Sequence, residues 1–388
     1  MNVPKIRYKE FAGEWQKVKL SSQASFLQGL TYTPNDVSND GTIVLRSSNI
    51  QNSMIDYNDI VRVNKVIPEK LKIKENDILM CVRNGSKSLV GKTAWLSKKE
   101  EECTWGAFMN IIRPKENNRF IYYYLNSKYF HNHVWKDLGT ATVNQITKQT
   151  LESFYLNIPS IEEQEKISNT LKLLDKKIEL QNKKIEDLKL FKKGLIKKFF
   201  SEDNLKQIKI KEIGKIVTGT TPSKSINSYW DNGNIIWVTP TDISDNRDIS
   251  DSIFKITDSG LKNGRFIPKN SILVTCIASI GKNAVLKVGG SCNQQINAII
   301  PNKDFNYNYI YYLLESISNY MKSIAGTSAT SIINKDDFSK IVVKTHSKEK
   351  QDYIASIMSQ FENKIVLENS KLSKLCKLKK GLMQNMFV

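Results

Sequence analysis

Ile161-Glu162-Glu163-Gln164-Glu165-Lys166-Ile167 opens a stretch whose apolar residues return at Ile167, Leu171, Leu174, Ile178, Ile185, Leu188, Leu195 and Phe199. Steps of three, four and seven form the seam of a heptad and predict one long helix with a narrow apolar stripe. Gln181 is the polar break in that run. Pro159-Ser160 stands at the entry, and Glu163 follows Ser160 by three residues, the spacing at which serine and glutamate cap two backbone donors reciprocally. The stretch ends on Lys192-Lys193-Gly194-Leu195.

The same text returns 187 positions later. Gln164 recurs as Gln351, Ile167 as Ile354, and Lys192-Lys193-Gly194-Leu195 as Lys379-Lys380-Gly381-Leu382. The second seam runs Ile354, Met358, Phe361, Ile365, Leu372, Leu375, Leu382 and Met386, and Glu368 falls where Gln181 fell. Gly139-Thr140 and Lys148 recur as Gly326-Thr327 and Lys335, so the offset holds without a gap from Gly139 to Leu195. Two copies of one unit imply a pseudo-twofold internal repeat. That symmetry suits a target with two half-sites, of which DNA is the commonest.

Two helices with matching narrow seams pack most simply on each other as an antiparallel coiled coil. The pairing residues would be Ile167, Leu171, Leu174, Ile178, Ile185 and Leu188 against Ile354, Met358, Phe361, Ile365, Leu372 and Leu375. The other arrangement buries each seam on its own globule. Roughly 35 residues at about 1.5 Å each span about 50 Å, longer than a small globule needs. The lysines around the seam form a solvated face or touch a DNA backbone or partner protein. Gly194 and Gly381 imply a close crossing, a kink or a helix end.

Ahead of each helix the texture is that of short strands and turns. Thr42–Leu45, Asp77–Val82, Asn234–Val238 and Ser271–Cys276 are β-type runs, and Asn39-Asp40-Gly41, Asp231-Asn232-Gly233 and Lys262-Asn263-Gly264 mark turns. Short helices fit Arg119–Phe130 and Asn308–Met321. The fold class is therefore mixed α/β, in the α+β sense: two β-rich globules alternating with two long helices. Its segments are residues 1–158, 159–201, 202–345 and 346–388.

A formal net charge of +19 points to a polyanionic partner, because each lysine or arginine on a phosphate releases counterions, with a basic proteome and lysine-rich solvated faces as the plainer reading. Cys81, Cys103, Cys276, Cys292 and Cys376 form no CxxC pair, and His131, His133 and His346 are too scattered for a zinc site. Such thiols suit a reducing cytoplasm. No 18-residue apolar run and no apolar N-terminal signal segment occur, which argues against a membrane location. Phosphate loops of the GxxxxGK[ST] type, GxSxG elbows and methyl-donor motifs are missing. The chain reads as a binder with no catalytic residues and no metal or cofactor of its own.

Two loop-like segments recur and carry donors for phosphates or base edges. One holds Arg83, Asn84, Lys87 and Lys92, matched by Lys282 and Asn283; it is a DNA contact or a plain hairpin turn. The other holds Thr140, Thr142 and Asn144, matched by Thr327, Ser328 and Thr330; it holds phosphates or caps the next short helix. Earlier segments match only loosely. Leu30–Pro34 faces Gly219–Lys224, and Arg46–Ile50 faces Val238–Ile243. Arg46, Ser47, Lys224, Trp230, Thr239 and Thr241 complete the candidate DNA-binding set. A faithful frame carrying divergent globules suits one scaffold reading two different half-sites.

The second globule, with Ile216-Val217-Thr218-Gly219-Thr220-Thr221-Pro222-Ser223, Tyr229-Trp230, Gly233, Trp237-Val238-Thr239 and Asp242-Ile243, resembles the target-recognition domains of type I restriction–modification specificity subunits. Both helix entries, Ile161–Ile167 and Lys348–Ile354, and the Lys-Lys-Gly-Leu endings are similar to that family's conserved regions. The first globule departs around Ser21–Thr33, and Lys350 replaces the glutamate before glutamine.

The resemblance implies that each target-recognition domain reads half of a bipartite site in double-stranded DNA. The helices set the spacer and dock two modification subunits, which methylate adenine with S-adenosylmethionine. Restriction subunits would add ATP-driven translocation and cleavage with Mg, in a bacterial or archaeal cytoplasm. Rival readings are a specificity module of another restriction class, a non-catalytic nucleic-acid-binding coiled-coil scaffold, and a cryptic nuclease.

Overall fold

The computed structural model describes residues 2–116, 119–139, 144–202, 204–244, 246–325 and 332–388. It divides into two compact units, Met1–Asn182 with Lys371–Val388, and Lys183–Ser370. Each unit thus contains one globule and parts of both long helices, Ile161–Phe200 and Lys348–Asn385.

In the first unit the central sheet orders Ala24–Gln28, Met109–Pro114, Ile78–Cys81 and Thr93–Trp95, all antiparallel. Ile78-Leu79-Met80-Cys81 is buried along its whole length because both sheet faces are covered. Alternate residues serve alternate layers. Ile78, Met80 and Ile112 pack with the helical residues Phe120–Leu125, Ile167 and Leu171, while Leu79, Cys81, Met109 and Ile111 face a second core with Leu45 and Trp105. That second layer is a smaller sheet of Cys103–Trp105, Thr42–Leu45, Val61–Val63 and Val37–Ser38, its first pair parallel.

The second unit repeats this logic. Its sheet orders Gly214–Thr218, Ile296–Pro301, Ile272–Thr275, Asn283–Leu286 and Asp248–Ile249. Ile272, Val274 and Ile299 join a core with Tyr309–Leu314, Ile354 and Met358; Leu273, Leu286, Ile296 and Ala298 face Ile236 and Val238 of the smaller sheet. In each unit the globule's first strand pairs with its last, Gln16–Lys19 with Tyr155–Ile158 and Lys206–Lys209 with Val342–Thr345. This clasp sits just before each long helix and fixes where the helix leaves the globule.

The helix entries refine the expected cap. Glu163 donates its N–H to Ser160 Oγ at 3.4 Å, but its carboxylate meets Arg7 at 2.7 Å instead of turning back to the backbone. Gln164 and Gln351 recur for one reason: each Nε2 donates to the carbonyl five residues earlier, Pro159 at 3.1 Å and His346 at 3.0 Å. Gly194 and Gly381 lie inside helices that run on to Phe200 and Asn385, and a Cβ at either meets nothing within 4 Å. Neither glycine marks a close crossing or a helix end. The predicted short helix over 119–130 is broken, with Phe120–Leu125 and Lys128–Gly139 separated at Asn126-Ser127. No helix among the described residues is long and apolar enough to cross a membrane.

Candidate nucleic-acid interface

In the first unit, loops from four places in the sequence meet at one end of the central sheet. Ala24–Gln28 passes into Gly29–Pro34, where Leu30 donates its N–H to the Trp105 carbonyl at 2.7 Å. Thr42–Leu45 passes into Arg46–Asn49, and Gly106 N–H reaches the Leu45 carbonyl at 3.0 Å. Ile78–Cys81 passes into the Arg83 loop, where Val82 and Arg83 both donate to the Phe108 carbonyl, at 3.0 and 3.2 Å. Ile146 closes the group by donating to the Val82 carbonyl at 2.8 Å, beside a bridge between Arg83 and Gln145.

The second unit builds the same end with counterparts of four of these five bonds. Thr220 donates to the Cys292 carbonyl (2.8 Å), Asn293 to Val238 (2.9 Å), Cys276 to Gln295 (2.9 Å) and Ile333 to Cys276 (2.9 Å), with Ile277 bridging Ile332. Close approach explains one recurrent glycine. A Cβ on Gly29 would stand 2.1 Å from the Gly106 oxygen, and one on Gly219 would stand 2.0 Å from the Asn293 oxygen.

Side chains of the first cluster are partly pre-set. Asn84 Nδ2 donates to Ser47 Oγ at 3.0 Å, and Asn84 Oδ1 accepts the Ser86 N–H at 2.9 Å. Asn144 Nδ2 donates to the Gly85 carbonyl at 3.1 Å. Arg46 pairs with Asp59 at 2.9 Å. Arg83 is exposed, with its guanidinium 5.2 Å from the centre of the Phe108 ring. Lys87 is exposed, and Lys92 is half-buried at the base of the loop. Arg46, Ser47, Arg83, Asn84 and Asn144 therefore share one surface.

In the second unit Lys224, Thr241 and Lys282 are exposed. Trp230 is half-buried, donates to the Ser223 carbonyl at 3.0 Å and meets Trp237 edge-on at 5.0 Å. Two expectations need correction. Asn283 is buried on a central strand, where its Nδ2 holds the Tyr311 carbonyl at 2.7 Å. Thr239 is buried too, with its hydroxyl 2.7 Å from the Asp242 carboxylate in a turn. Both side chains serve the protein interior. Thr140, Thr142, Thr327, Ser328 and Thr330 lie outside the described residues.

Phe108 and the triplet Asn293-Gln294-Gln295 lie at this same end of the sheets and were not among the expected residues. The available signal was an unbroken polar triplet directly before Ile296–Pro301, a strand apolar except for Asn297. Below the loops, burial pushes the Cys81 and Cys276 thiols up to about 11, so they stay neutral and serve packing. Among the described residues no group of three His, Cys, Asp or Glu is placed to hold a metal.

Of the expected seam, Ile167 and Leu171 lie in the first globule's core and Ile354 and Met358 in the second's. Leu174, Ile185 and Ile365 are buried, and Ile178, Leu188, Phe361, Leu372 and Leu375 are half-buried. Within the first unit Lys379 meets Asp175 at 2.6 Å. Within the second, Lys184 meets Glu368 at 3.0 Å, Lys192 meets Glu362 at 2.6 Å, and the Phe191 and Phe361 rings lie 5.3 Å apart.

The family model of the type I restriction modification DNA specificity domain matches residues 12–190 and 202–377. The chain belongs to this family. Each specificity-domain match takes in a globule and most of the helix after it. Over 186 residues the chain is 33% identical to the type I restriction enzyme MjaIX specificity subunit of Methanocaldococcus jannaschii, covering 46% of this chain and 43% of that protein. Over 181 residues it is 29% identical to the EcoKI specificity subunit of Escherichia coli, covering 45% and 39%. It thus spans less than half the length of these relatives. With the putative MjaX specificity subunit of M. jannaschii the identity is 25% over 410 residues, 98% of this chain and 95% of that one.

Among solved structures, the S subunit of a type I restriction-modification system from M. genitalium has the same fold, at TM-score 0.61 and 15% identity over 100% of this chain and 99% of that one. A chain from a structure of type I system assembly and conformational transition matches at TM-score 0.61 and 14% identity, covering 95% and 96%.

Proposed function

We propose that this chain is the specificity subunit of a type I restriction–modification complex, in which each globule reads one half of a bipartite site in double-stranded DNA. One observation carries the reading. The same set of backbone bonds gathers the loops at the same end of each central sheet, while the side chains on those loops differ. An identical frame with different readers suits two unlike half-sites. The net charge of +19 supplies the sequence-independent part of the affinity.

In this reading residues 1–158 and 202–345 are target-recognition domains and 159–201 and 346–388 are the helical regions between and after them. The two helices pair antiparallel as a coiled coil. In support, contacts such as Asp175–Lys379 within one unit, and Lys184–Glu368 and Lys192–Glu362 within the other, run up one helix as they run down the other. The pair holds two modification subunits. S-adenosylmethionine chemistry on adenine belongs to those partners, and ATP- and Mg-dependent work belongs to restriction subunits in the same cytoplasmic complex. The surface built from Arg46, Ser47, Arg83, Asn84, Lys87 and Asn144, and its counterpart with Lys224, Thr241 and Lys282, takes the phosphates and base edges.

Duplex binding by the full chain should weaken steeply with salt, with log affinity falling linearly against log salt concentration, as phosphate-dominated binding requires. Titration of a labelled duplex at several salt concentrations measures this. A flat response removes DNA as the ligand.

A further inference from the structure

The two units place chemically different side chains in one backbone slot. The slot is the loop entering the strand Met109–Pro114 in the first unit and Ile296–Pro301 in the second. In the first it is Gly106-Ala107-Phe108, and in the second Asn293-Gln294-Gln295. Three bonds define the slot in each unit. Its first residue donates to the neighbouring strand (Gly106 to Leu45, 3.0 Å; Asn293 to Val238, 2.9 Å). That residue's own carbonyl accepts from the start of the next strand (Met109, 2.9 Å; Ile296, 3.2 Å). Its last residue accepts from the adjacent loop (Val82 to Phe108, 3.0 Å; Cys276 to Gln295, 2.9 Å). A backbone held at three points presents its side chains in a fixed frame, which base reading needs.

We infer that this slot determines base specificity: in the second unit Gln294 and Gln295 read an adenine, and in the first Arg83, laid on Phe108, reads a guanine. The inference rests on the specificity-subunit reading and names the groups that carry it. The second slot is oriented from below. Asn293 is buried, donates Nδ2 to Gln295 Oε1 at 3.0 Å and accepts the Gln295 N–H at 3.0 Å. Gln294 is exposed, and its Oε1 accepts from the Thr221 hydroxyl. Among the described residues neither glutamine Nε2 has a partner. A carboxamide with a free NH2 and a spare oxygen lone pair matches N7 and N6 of adenine.

The first slot works differently. Phe108 is 58% exposed, and its ring face meets the Arg83 guanidinium at 5.2 Å. Stacking on a ring holds the guanidinium planar fork while leaving its donors free, and that fork matches O6 and N7 of guanine. Asn84, tied to Ser47 and Ser86, steadies the loop on the other side.

The test selects preferred duplexes from a randomised library with the purified full chain and repeats the selection with variants. Wild type should return a two-part motif. Gln294→Glu with Gln295→Glu keeps side-chain size and should move one base pair in one half from adenine toward cytosine, whose N4 donates to a carboxylate. Arg83→Ala should relax a guanine in the other half by about tenfold, the scale of one bidentate contact. Phe108→Leu, which removes only the ring face, should relax the same position. A wild-type motif that survives both variant sets unaltered overturns the inference and leaves the specificity-subunit reading standing. Variants that blur both halves at once also overturn it. A wild type that selects no two-part motif overturns the underlying reading itself.

Discussion

Arg7 and Glu163 are separated by most of a globule in sequence, yet they form a two-bond contact, Nε to Oε1 at 2.8 Å and Nη2 to Oε2 at 2.7 Å. Their side chains are only 13% and 2% exposed, and while Arg7 also donates to the Ala12 carbonyl at 3.0 Å, the Glu163 carboxylate relies on Arg7 to offset its burial. The paired carboxylate accordingly raises the Arg7 pKa above its ordinary value. Arg7→Ala strands a buried carboxylate at the helix entry and should cost about 3 kcal/mol, as breaking a buried pair does. Urea unfolding measures this, and a midpoint equal to wild type contradicts the account. The spacing of Ser160 and Glu163 showed a helix start correctly but gave the carboxylate the wrong partner, because no local pattern reveals a residue 156 positions away. Asn283 failed for a related reason. Its neighbour Lys282 is exposed, and only the strand's register decides that the next side chain points inward to Tyr311.

At the scale of elements, the long helices and central strands were legible because both write their periods into the sequence. Heptad steps marked Ile161–Phe200, and largely apolar runs marked Ile78–Cys81 and Ile272–Thr275. The slot loops were hardly legible: the polar triplet Asn293-Gln294-Gln295 leaves a mark in the sequence, but the position of both loops is set by backbone bonds between strands distant in sequence, which leave no side-chain period. If the helices form the spacer frame, their length sets the distance between half-sites. A heptad inserted between Gln181 and Ile185, matched by one between Glu368 and Leu372, adds about 10 Å. That is about three base pairs at about 3.4 Å each. Methylation mapped on such a variant should show a longer spacer between unchanged half-sites, or be lost. An unchanged spacer with full activity contradicts the ruler.

For the whole molecule, the repeat at 187 residues carried the broad result, since it separated a constant frame from divergent globules before any contact was known. The structure locates that variability at one end of each central sheet, where equal backbone bonds carry Arg83 with Phe108 in one unit and Gln294 with Gln295 in the other. If, as proposed, chemistry on the bound DNA falls to partners, the chain's contribution is visible only as the pattern that the partners mark. The decisive measurement is to co-express the chain with a type I modification subunit from its own source and to map N6-methyladenine across the host genome by sequencing. The account predicts methylation at a single bipartite motif, two short dissimilar halves around a fixed unread spacer. Methylation at a continuous motif, or with no shared motif, would contradict it.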